Sequence, residues 1–113
     1  MIFLLKFFLW ISTGNDCLVC GSFFNKILKE NEEDVNCLQL NEKEQLLFDF
    51  GNAIARDPHN IPQEIYDELK SNFTVEQIVT ISAFAGLMCA TNLFNTVAKV
   101  DLDEVLYEYR IDN

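Results

Sequence analysis

Two cysteines three residues apart, Cys17 and Cys20, form the pair in this sequence best placed to do chemistry. Gly14-Asn15-Asp16 before them supplies a turn and an N-cap, either Asn15 or Asp16, so both cysteines are predicted in the first turn of a helix. Unpaired N–H groups and the positive end of the helix dipole stabilise a thiolate there, and a second thiol within reach can close a disulfide. The pattern suits a nucleophile with a resolving partner. Two other readings compete with it. A structural zinc site wants a second close pair of ligands, whereas Cys37, Cys89 and His59 are scattered singly. Plain packing of two small, weakly polar side chains is the third. Cys37, near Val35 and Leu38, and Cys89, on an apolar helix face, read as core fillers, and His59, following Pro58, reads as a brace for a turn.

The elements that must hold the pair read as five helices, and no stretch shows sustained period-2 alternation between hairpin turns. The fold class is all-α. An apolar run, residues 1–11 with Lys6 its one charge, ends at Ser12-Thr13-Gly14-Asn15. It is short of the roughly 20 residues a membrane span needs. It also lacks a basic n-region and a small-x-small cleavage site, so it reads as a buried helix, with a leader as the lesser alternative. Such a helix needs cover on several faces, which makes another subunit its expected neighbour. The second helix runs from the cysteines to about Lys29, and the acidic run Glu30 to Asp34 is a solvated connector. Capping boxes Asn41-x-x-Glu44 and Thr74-x-x-Gln77 open the third and fifth helices, predicted to end near Arg56 and Ala98. Leu46, Leu47, Phe50 and Ile54 form the core face of the third; Ile78, Ile81, Ala85, Met88 and Cys89 form that of the fifth. Pro62 suits the start of a fourth helix reaching about Ser71, with Ile65, Leu69 and Tyr66 facing inward. The tail from Val100 alternates acidic and aromatic residues and favours no element.

Composition bounds the partners. With 113 residues and 50% hydrophobic content the chain, residues 1–113, reads as one domain. Eighteen acidic against eight basic residues give a net charge of −10, which repels phosphate backbones and anionic membranes. Nucleic acid and stable membrane insertion are not expected. Four cysteines do not make a disulfide framework in so apolar a chain, and a reducing, cytoplasmic compartment follows. The phenylalanines need no cofactor to explain them, since a core and an interface absorb them.

Asn15-Asp16-Cys17-Leu18-Val19-Cys20, followed by Leu40 to Glu44, Arg56-Asp57-Pro58-His59, Phe73 to Ile78, Asn92-x-x-Asn95 and Val100 to Glu104, resembles the peroxidase-related branch of the carboxymuconolactone decarboxylase and alkylhydroperoxidase D-like class. The resemblance covers about residues 5–104 and rests on order and spacing together. It implies an all-helical subunit of a homo-oligomer, a trimer, dimer or hexamer, that acts as a thiol peroxidase or disulfide reductase. Its implied partners are a hydroperoxide or disulfide substrate and a thiol donor; no metal, flavin or nucleotide cofactor is implied. In that class the second cysteine attacks and the first resolves, which corresponds to Cys20 and Cys17. Helix-dipole reasoning favours the opposite order, since Cys17 stands nearer the helix end.

The chain departs from the class pattern where protons would move. The position four after Cys20, a histidine in the class, is Phe24, and the position twelve before Cys17, a glutamate in the class, is Leu5. Removing such groups costs roughly 10²–10⁴-fold in rate. The chain also begins inside the class domain, so the resemblance implies that earlier helices of the class are missing. The expected function is a weak thiol-dependent peroxidase or disulfide oxidoreductase, with a non-catalytic helical scaffold of the same fold as the alternative. Lactone decarboxylation is less favoured, for want of a proton-moving group near the pair.

Overall fold

An apolar helix packed against three others organises the molecule. The computed structural model describes the backbone of residues 2–31 and 40–110 and the side chains of residues 6–31 and 40–110. Five α-helices follow in order: α1 (Ile2–Gly14), α2 (Leu18–Glu30), α3 (Glu42–Arg56), α4 (Gln63–Asn72) and α5 (Val75–Val97). Two 3₁₀ segments, Pro58–Asn60 and Glu104–Tyr109, fill the turn before α4 and the tail. Among the described residues there is no strand, so the fold is all-α, as the sequence predicts.

α1 packs against α2, α3 and α5. Phe7, Trp10 and Ile11 are buried with Leu46, Leu47 and Phe50 of α3, and Leu9 is buried with Cys17, Cys20, Phe24 and Leu28 around α2. α1 comes so close to α3 that a Cβ on Gly14 would stand 2.7 Å from the Ala55 Cβ, and only glycine fits there. Lys6 is buried too, and its ammonium meets the Glu44 carboxylate at 3.1 Å. From Lys6 to Ile11 every side chain is buried or half-buried within the chain itself, so this part of the helix finds its cover without a second subunit. α1 also runs three residues beyond its predicted end. Its polar last turn is satisfied internally: Thr13 Oγ1 donates to Trp10 O at 3.0 Å, and buried Ser12 donates to Asn92 of α5 at 3.3 Å.

Both predicted capping boxes are formed, at Asn41 with Glu44 and at Thr74 with Gln77. Leu46, Leu47, Phe50 and Leu69 are buried, and Ile54, Ile65 and Tyr66 pack partly against them. α5 is different. Only Ala85 and Asn92 are buried along its 23 residues, while Ile78, Ile81, Met88 and Cys89 pack partly against the core. Its opposite side is open, with Val79 61%, Leu93 64% and Val97 72% exposed. By length and composition it is the one described helix apolar enough to cross a membrane.

Candidate functional site

The turn between α1 and α2 sets the geometry of the pair. Asn15 continues α1 with its N–H on Ile11 O at 2.9 Å, and Asp16 takes a left-handed backbone (φ 57°) that reverses the chain. Asp visits that conformation more readily than most residues because its short polar side chain can hydrogen-bond the local backbone. Cys17 then becomes the N-cap of α2, one residue past Asp16, the later of the two predicted caps, and its Sγ accepts the Cys20 N–H at 3.5 Å. Asn15 is not free to cap, because its side chain donates to Ala55 O at 3.0 Å and accepts from Asn92 Nδ2 at 2.9 Å.

Both cysteines are buried, and they approach within 3.2 Å of each other. A close pair alone does not mark an oxidoreductase, so the surroundings decide what it can do. Cys17 lines a cavity of about 320 Å³ together with Asp16, Asn95, Lys99 and Asp101; Cys20 is not among its walls. Cys20 points at the apolar cluster of Leu9, Phe24 and Leu28, and Asn95 Nδ2 donates to its Sγ at 2.9 Å. Burial first, then the neighbouring Cys17, pushes the Cys20 thiol up to about 12, and the Asn95 hydrogen bond offsets part of that rise. Cys20 keeps its proton at neutral pH.

Phe24, where the class carries histidine, is buried, tilted against Phe8 (ring centroids 5.6 Å) and edge-on to Phe23 (5.4 Å). No proton relay passes through it. Leu5 lies in α1 with its side chain outside the described ones, and Cys37 lies outside the described residues. Cys89 is half-buried; burial raises its pKa and a hydrogen bond with Asn15 lowers it. His59 is exposed on the first 3₁₀ segment. Among the described residues no three of His, Cys, Asp and Glu come together as metal ligands.

Sequence reasoning assigned no role to Asn95, Lys99 or Asn92. Their signal was faint: two asparagines three apart inside an apolar helix, where asparagine is a poor helix former. Asn92 is fully buried and joins Ser12 to Asn15, tying α5 to the turn that carries Cys17. Asn95, one turn further, reaches Cys20.

Compared with family models, with curated proteins and with solved structures, the chain matches none.

Proposed function

We propose that the chain is a thiol-dependent oxidoreductase that reduces a small hydroperoxide or disulfide through Cys17 and Cys20, in the manner of the class it resembles. The observation that carries the reading is the position of Cys17, which caps α2, stands 3.2 Å from Cys20 and lines a cavity. Cys17 is the attacking thiol in this proposal, against the order implied by the resemblance, because the cavity reaches it and does not reach Cys20. Its sulfur bonds to the terminal peroxide oxygen as the O–O bond breaks. The leaving alkoxide takes a proton, and Cys17 is oxidised to a sulfenic acid. Cys20, still carrying its proton, then attacks that sulfur. The S–S bond forms, and the hydroxyl leaves as water with the Cys20 proton. An external dithiol returns the two electrons, which suits a cytoplasmic setting. With a disulfide substrate the same pair passes through a mixed disulfide.

With Phe24 in place of a base, turnover is expected to be slow. The test is one equivalent of peroxide added to the folded wild type, Cys20→Ser and Cys17→Ser, with sulfenic acid trapped by a 1,3-diketone and located by mass spectrometry. Wild type should yield the Cys17–Cys20 disulfide, Cys20→Ser a trapped adduct at Cys17, and Cys17→Ser little at Cys20. An adduct at Cys20 alone would restore the order of the class. Free thiols throughout would favour the second reading, an interaction subunit without catalysis, which the apolar packing of Phe24 and the open side of α5 support.

A further inference from the structure

The side of α5 turned away from the core has a period of its own. Val79, Ala83, Gly86, Ala90, Leu93 and Val97 follow one another at steps of four, three, four, three and four residues, the spacing of a seam between two paired helices. All six are exposed. Between Glu76 and Lys99 the helix carries no charge, although the chain as a whole carries −10. Gly86 stands in the middle of the seam, and a Cβ built there meets nothing within 4 Å. Glycine weakens a helix interior relative to alanine, and nothing among the described residues requires it at that position. A backbone approaching from outside would require it.

We propose that this seam is a homodimer interface in which two copies of the chain pack their α5 helices antiparallel. The seam is complementary to itself in that orientation. Turned about its midpoint, Gly86 lies opposite Ala90 of the second copy, Ala83 opposite Leu93 and Val79 opposite Val97, so that small residues face large ones or each other. This is what a two-fold contact demands, since the same patch must serve both sides. The two helix dipoles also oppose in this orientation. Val79 to Val97 spans about 27 Å at 1.5 Å per residue, a long contact for one helix pair. A lipid surface suits the face less well, because α5 gives its other side to the core through Ala85 and buried Asn92. The proposal stands apart from the cysteine chemistry.

Light scattering with size-exclusion chromatography of the full chain tests it. Wild type should run as a dimer at micromolar concentration, and Gly86→Glu, which has room within the monomer, should raise the dissociation constant by at least about 100-fold with unchanged helical circular dichroism. The register is read by oxidising Val79→Cys/Val97→Cys, which should link a peptide containing position 79 to one containing position 97 in a second copy. Val79→Cys alone should not link to itself. A wild-type monomer, a dimer indifferent to Gly86→Glu, or a 79-to-79 link in the single variant would each overturn the proposal. So would a monomer that floats with phosphatidylcholine vesicles, which would assign the face to lipid.

Discussion

α1 and α5 are both apolar nearly all round, yet one is wrapped and the other half bare. From Lys6 onward α1 is covered by α2, α3 and α5, and even its lysine is paired inside. α5 packs against α1, α3 and α4 and reaches α2 through Asn95, all along one side. Hydrophobic content measures how much cover a helix wants and not which neighbour supplies it. α1 lies between α2 and α3 with Gly14 admitting α3 to close approach, whereas α5 ends the stack with a glycine that none of the described residues approaches.

The contrast is sharpened most strongly by truncating equivalent large residues. Phe7→Ala on α1 removes a ring that is 1% exposed and should cost about 3–5 kcal/mol in urea denaturation, through lost burial and the cavity left behind. Val79→Ala on α5 should change the stability of the monomer by no more than about 0.5 kcal/mol, because the side chain is already in water. If the α5 helices pair, the midpoint of unfolding will also rise with protein concentration in wild type and less so in Val79→Ala. Equal costs for the two truncations would show that α5 is as well covered as α1.

How far this contrast was legible in the sequence depends on the range of the interaction. The capping boxes at Asn41 and Thr74 are closed by groups three residues apart, so their residue types alone announce them. The cap of α2 falls past both predicted residues, and Asn15, two positions before it, is claimed by Ala55 and Asn92, which lie 40 and 77 residues away. The Asn95 hydrogen bond to Cys20 crosses 75 residues and leaves no local pattern. On α5 the core face at Ala85 and Cys89 followed from periodicity. The opposite seam is as apolar, and nothing local says that the chain leaves it uncovered. The need for another subunit was therefore sought at residues 1–11, whose described side chains find their cover within the chain.

A second test lies where the two helices meet, in the cluster around Cys20, to which α1 contributes Leu9 and α5 contributes Met88 and the Asn95 amide. Burial raises this thiol from its ordinary 9.0 to about 12, so the folded state holds the proton through a range in which the unfolded chain releases it. The associated stability is complete below pH 9 and is lost as pH rises towards about 12, by at most about 1.4 kcal/mol per pH unit for a single group. Cys89, also raised by burial, acts with the same sign. Denaturation of wild type and Cys20→Ser across this range should give a stability difference that shifts steadily against wild type above pH 9. A pH-independent difference would mean that water reaches Cys20, and that the core-facing side of α5 is less dry than that of α1.

The smallest effect expected is also the one that separates the two helices most cleanly. Gly86→Ala adds one methyl at a position where nothing stands within 4 Å, so in the isolated chain it removes only the conformational cost of glycine and should stabilise α5 by about 0.5–1 kcal/mol. In an antiparallel dimer the same methyl lies between two backbones near the middle of the seam, where it must push them apart or find a gap. The substitution should therefore stabilise the monomer at low concentration and weaken dimerisation at high concentration, two opposite signs from one atom. Gly14→Ala on α1 gives the reference, because its methyl would meet the Ala55 Cβ at 2.7 Å and should destabilise the chain at every concentration. Thermal unfolding followed over a hundredfold range of protein concentration resolves the three cases. If Gly86→Ala stabilises uniformly across that range, Gly86 has no close neighbour in solution, and the open side of α5 is not a seam between copies.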